Sequence, residues 1–125
     1  MSNRQLNEAE RKWNLMWDLW VKGESESPYT ELMSYESEIN NGGHSQYFFN
    51  TADCGNLKRD VDILLSVLPE SLNENLKKAY DAFSSMEDIA DDSCDELLDE
   101  CDQIFYENES QLMELLQKYA DSLSL

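Results

Sequence analysis

Apolar side chains recur three or four positions apart along almost the whole chain, a period that suits helices and little else. Leu6, Ala9, Trp13, Met16, Trp17 and Trp20 trace the first stripe, which Gly23 ends. Glu24-Ser25-Glu26-Ser27 reads as a loop, and Ser27-Pro28 as an N-cap followed by proline in the first helical position. Tyr29, Leu32, Met33 and Ile39 give a second helix its buried stripe. Asn40-Asn41-Gly42-Gly43 stops it, because glycine accepts the left-handed conformation of a helix C-terminus. A short helix through Gln46 to Asn50 follows and closes at Asp53-Cys54-Gly55, although Tyr47-Phe48-Phe49 alone also fits a buried strand. Val61, Leu64, Leu65 and Leu68 form the next stripe, broken by Pro69. Leu72, Leu76, Tyr80 and Phe83 make another, and Cys94, Leu97, Leu98, Cys101 and Phe105 one more. Asn108 with Gln111 resembles a capping box opening a last helix through Leu112, Leu115, Leu116, Tyr119 and Leu123. No alternating Val/Ile/Thr run bounded by turns is present. The expected fold is all-α: a compact single-domain bundle of about six or seven helices over residues 1–125.

A chain of 125 residues can bury a core of useful size. At 41% hydrophobic and 10% aromatic, it carries too much apolar material for a disordered acidic tail. Its charge is extreme: 27 Asp and Glu against 9 Lys and Arg, a net −18. Such a charge opposes compaction by self-repulsion and aids solubility. It argues against direct binding to nucleic acid or to an anionic membrane surface, and it attracts a basic partner from a distance. Cys54, Cys94 and Cys101 are odd in number and lack metal-type spacing, which suits a reducing compartment. The N-terminal segment, with Arg4, Glu8, Glu10, Arg11 and Lys12, has no apolar run of signal-peptide length, and no stretch has the length of a membrane span. A cytoplasmic address is the expectation.

The charge is unevenly placed. Arg4, Arg11, Lys12 and Lys22 lie on the first helix, whereas no basic residue stands between Lys78 and Lys118. That interval holds Asp81, Glu87, Asp88, Asp91, Asp92, Asp95, Glu96, Asp99, Glu100, Asp102, Glu107, Glu109 and Glu114. The pairs Asp91-Asp92, Asp95-Glu96 and Asp99-Glu100 repeat every four residues, which on a helix is a rise of about 6 Å. Two carboxylates per step give roughly one charge per 3 Å, near the ~3.4 Å per phosphate of one DNA strand, although neighbouring residues diverge around the helix. Like charges at this spacing each cost a few tenths of a kcal/mol, a cost that mixed-sign surfaces avoid. A solvated, solubilising face and a phosphate-like partner surface both fit the pattern.

Recognisable catalytic chemistry is sparse. His44 is the sole histidine, with no Cys or Asp beside it in a nucleophile or triad pattern and no zinc-type spacing to Asp53 or Cys54. No calcium-loop, P-loop or dinucleotide glycine pattern occurs, so no cofactor is expected. The three tryptophans at helical spacing read as core, with Trp20 a candidate interface residue.

The run Asn41-Gly42-Gly43-His44-Ser45-Gln46-Tyr47-Phe48-Phe49-Asn50 resembles the N-G-G-x-x-Q-Y-F-x-N signature of the bacterial DNA mimic protein 19-like family. Tyr29, Leu32 and Glu38 precede it as in that family's second helix. Leu98, Asp102, Phe105 and Tyr106, then Leu112, Leu116 and Tyr119, resemble its closing L-x-x-x-D-x-x-F-Y…L…Y pattern. The resemblance covers roughly residues 10 to 122. It implies an all-helical, commonly self-associating fold, so a homodimer, and an acidic surface that imitates duplex DNA and occupies the DNA-binding face of a regulator. Fold transfers within such a family more safely than role.

The signature residues Asn41, Gly42, Gly43, His44, Gln46, Tyr47, Phe48 and Asn50 are expected to build a turn: glycines at the bend, amides satisfying backbone groups, aromatics filling the core below. The acidic partner surface is placed by local charge density on Glu87, Asp88, Asp91, Asp92, Asp95, Glu96, Asp99, Glu100, Asp102, Glu107 and Glu109. The expected function is non-catalytic binding to a basic DNA-binding protein. Two other readings are an immunity-type protein neutralising a basic toxin or nuclease, and a small-ligand domain on the Asn41–Asn50 turn.

Overall fold

The computed structural model describes residues 7–85 and 92–124. Among the described residues there is no strand, and five helices run in order: α1 (Glu8–Val21), α2 (Tyr29–Asp53), α3 (Leu57–Val67), α4 (Glu70–Ser84) and α5 (Asp92–Asp121). The aromatic run Tyr47-Phe48-Phe49 is helical, which removes the strand alternative.

Local chemistry sets most of the boundaries. Asn7 caps α1, its Oδ1 accepting from the Glu10 N–H at 2.8 Å. Gly23 closes that helix with φ +73°: its N–H donates to the Trp20 carbonyl and that of Glu24 to the Leu19 carbonyl. α3 stops where Leu68, ahead of Pro69, is forced to an extended ψ of 142°. The start of α2 differs from expectation: Pro28 itself is the N-cap, and the Ser27 hydroxyl donates to the Glu31 carboxylate rather than capping backbone.

The helix count of six or seven is corrected to five, chiefly because α5 runs unbroken through residues read as two helices. Asn108 and Gln111 do not open a new helix. The Asn108 amide donates back to the Ile104 carbonyl, and Gln111 donates to Asn108 Oδ1, so both bonds form on a continuing helix surface. With neither glycine nor proline between Asp92 and Asp121, nothing interrupts the backbone ladder. The second merger is different in kind, since α2 holds a kink at Gly42 and Gly43, where the signature was expected to turn.

α5 is the spine, about 45 Å long at 1.5 Å per residue, and α1, α2 and α4 all pack on it. Its inward stripe of Cys94, Leu98, Cys101, Phe105, Leu112, Leu116 and Tyr119 enters one core with Met16, Leu32, Met33, Tyr35, Ile39, Phe48, Leu64, Leu72 and Leu76. The α1 tryptophans lie half-buried against this core in edge-to-face contact, with centroids 6.2 Å (Trp13–Trp17) and 5.3 Å (Trp17–Trp20) apart. The Trp20 indole N–H is used internally, donating to Ser34 Oγ at 3.1 Å. Among the described residues, no helix is long and apolar enough to cross a membrane.

Candidate functional site: a pinned kink beside an acidic helix face

The kink is made by two residues. Gly42 has φ −158°, ψ 16°, and Gly43 has φ 76°, ψ −175°. The Gly43 conformation lies in a region essentially closed to residues with a Cβ. Space forbids a side chain there too: a Cβ on Gly43 would lie 2.2 Å from Asp102 Oδ2.

That carboxylate is the pin. Asp102 Oδ1 accepts from the His44 backbone N–H at 2.8 Å and from His44 Nδ1 at 2.6 Å. An ionised carboxylate only accepts, so Nδ1 carries a proton, and Nε2 pairs with the Tyr35 hydroxyl at 2.6 Å. The Asp102 charge also sits at the start of the helical segment after the kink, where a negative group is favoured. His44 and Tyr35 are fully buried, and burial pushes the Tyr35 hydroxyl well above its usual range, so it keeps its proton. Phe105 packs on both rings, at 5.4 Å from Tyr35 and 6.3 Å from His44. One residue further on, Tyr106 donates to the Ile39 carbonyl at 3.0 Å, on the other side of the bend.

The signature and the closing pattern are therefore two halves of one joint. Asp102, Phe105 and Tyr106 of α5 hold Ile39, Gly43 and His44 of α2. The Asp–His–Tyr chain has the form of a proton relay, but His44 and Tyr35 are fully buried, and the chain links α2 to α5. Tyr35, which completes the chain, is not singled out in the sequence; it stands three residues after Leu32 and four before Ile39, and no local signal separates it from them.

The amides depart from expectation. Gln46 and Asn50 do not satisfy backbone groups: both donate to Glu38 Oε2, at 3.0 and 2.9 Å, tying the helix after the kink to the helix before it. Tyr47 and Phe48 are buried as expected, while Asn41 and Gly42 are exposed and line an open groove of about 500 Å³ with Asp99, Glu100 and Gln103. A second seam lies above the bend. Asn40 Nδ2 donates to Glu36 Oε1 at 2.9 Å and to Glu109 Oε2 at 2.7 Å. Desolvation, then the hydrogen bond and like charge of Glu109, push Glu36 up to about 7. Both carboxyl groups thus accept from the Asn40 amide, which bridges α2 and α5.

The acidic residues separate into groups. Asp95, Glu96, Asp99, Glu100 and Glu107 are exposed on α5. At 100° per residue they fall within an arc of about 140°, and they span about 18 Å of axis, roughly one charge per 4–5 Å. That density is lower than the sequence estimate, because Asp102 is turned inward to the kink and Gln103 occupies the next outward position. Glu109 is half-buried against Asn40. Glu87, Asp88 and Asp91 lie outside the described residues, and Asp92 begins α5 without a described side chain. Among the described residues, no group of three or more His, Cys, Asp or Glu is placed to hold a metal ion.

No curated protein and no solved structure matches the chain. The family described as DMP19-like protein matches residues 29–123, a span that begins at the first residue of α2 and includes the kink, its pin and the acidic helix. By that match, over most of its length, the chain belongs to the DMP19-like protein family.

Proposed function

We propose that this protein is a non-catalytic DNA mimic: the outward face of α5 occupies the basic, DNA-binding surface of a partner protein. The observation that carries the reading is the single-sign run Asp95, Glu96, Asp99, Glu100 and Glu107, exposed on one face of a long helix. Carboxylates there replace phosphates as partners for lysine and arginine, and the net charge of −18 steers association at low salt. A rigid presentation supports the same reading, since a helix anchored on its opposite side holds its charges at fixed spacing and loses little freedom on binding.

The test starts from a pull-down out of native cell extract, eluted with a salt step to recover electrostatic binders. Recovered DNA-binding proteins are then loaded with labelled duplex and titrated with the protein at low salt. The duplex is expected to be released, with the effect fading as salt rises. A regulator that keeps its duplex under a large excess of the protein is not a target, and failure with every recovered DNA-binder would sink the proposal.

A further inference from the structure

The groove between α1 and α5 has a chemistry that the acidic face lacks. Trp13, Tyr106 and Met113 line it with Glu109 and Glu114, in an open volume of about 630 Å³, and no basic side chain is among its lining residues. Tyr106 is 42% exposed, one of three large hydrophobic side chains so exposed among the described residues. Its ring is nevertheless fixed: the hydroxyl is tied to the Ile39 carbonyl, and Phe105 packs edge-on at 5.7 Å. Trp13 is held in turn by its edge-to-face contact with Trp17. The groove therefore offers preset aromatic surface beside carboxylates, in a molecule of strongly negative field.

We infer that this groove is an arginine-accepting site, in which a guanidinium of the basic partner lies against the Tyr106 ring with Glu109 and Glu114 as its anionic neighbours. The inference rests on the proposed binding of a basic partner and names the side chain that is read. A guanidinium is planar, weakly hydrated, and both stacks on aromatic faces and forks onto carboxylates; an ammonium is a compact, strongly hydrated point charge. Charge alone treats the two alike, so a preference for arginine isolates the contribution of the groove. Tyr106 also borders the groove beside the kink, lined by Asp99 and Glu100, so the site is continuous with the acidic face.

The experiment compares labelled oligo-arginine and oligo-lysine peptides of equal length, titrated with the whole chain at low salt and read by fluorescence anisotropy. The arginine peptide is expected to bind about threefold or more tightly. Y106L should bring the ratio close to one by weakening the arginine peptide far more than the lysine peptide, and Y106F, which keeps the ring, should retain the preference. A measurement on the unaltered protein guards against a variant that fails to fold: the Trp13 indole resonance should shift on adding the arginine peptide, and those of Trp17 and Trp20 much less. Equal binding of the two peptides, or an unmoved Trp13, overturns the groove and leaves electrostatic mimicry standing. Failure of both peptides to bind at low salt removes the reading beneath it as well.

Discussion

Asp99 and Asp102 lie one turn apart on α5, and their carboxylates do opposite work. Asp102 points inward and is consumed by the kink, accepting two hydrogen bonds from His44 and filling the space a Gly43 side chain would need. Asp99 points outward among other carboxylates and solvent. The same residue type on one helix is thus structural on one side and available to a partner on the other. The difference teaches that charge density in the sequence overstates the partner surface: part of the acid belongs to the fold.

The sharpest way to break this comparison is at Gly43. G43A combines a backbone region closed to Cβ with a clash against Asp102, and should cost roughly 3 kcal/mol or more in chemical denaturation. A loss below about 1 kcal/mol would mean that the kink is not held as described. D102A comes next. It strips the acceptor from the His44 N–H and ring, and a loss of about 2–3 kcal/mol is expected, against ±0.5 kcal/mol for D99A. Equal effects at the two positions would erase the distinction between inner and outer face.

A smaller effect tests the Glu36–Glu109 seam. Glu36 has a folded pKa of about 7 against an ordinary 4.5, so the folded state holds a proton that the unfolded chain releases. Its contribution to stability is present below about pH 4.5 and is lost as pH rises through 7. E36Q, a neutral stand-in for the protonated acid, should therefore melt a few degrees above the unaltered protein at pH 8 and at the same temperature near pH 4.5. An advantage that is independent of pH would place the effect elsewhere. Smallest for stability is neutralisation of the outer face: D95N/E96Q/D99N/E100Q should gain up to about 1 kcal/mol from relieved repulsion. The same variant should lose most of its low-salt affinity for an oligo-lysine peptide, so stability and binding move in opposite directions there.

Much of this fold was legible in residue spacing because helices announce themselves locally. Gly23, Pro69 and the Gly42-Gly43 bend are each read from a few neighbours, and all three act where expected. The division of α5 failed for the same reason: Asn108 and Gln111 satisfy a capping pattern and an unbroken helix surface equally well, and only the backbone decides between them. The joint was legible as two motifs but not as one object. His44 and Asp102 are 58 positions apart, and nothing in either segment says that they meet. Tyr35 is not legible in the sequence, since helical spacing alone gives it no distinction, and Asn40, Glu36 and Glu109 carry no motif that pairs them. Of the acidic positions chosen by density, Asp95, Glu96, Asp99, Glu100 and Glu107 are exposed, whereas Asp102 and Glu109 are drawn into contacts that charge counting ignores.

The raised pKa of Glu36, at the seam where Asn40 bridges it to Glu109, bears on the molecule's charge itself. The formal −18 counts every carboxyl as ionised, yet Glu36, pushed up to about 7, is not fully ionised at neutral pH. A cationic surface brought close to this seam would favour the ionised carboxyl, so the proposed basic partner would meet a more negative protein and release a proton to the buffer as it bound.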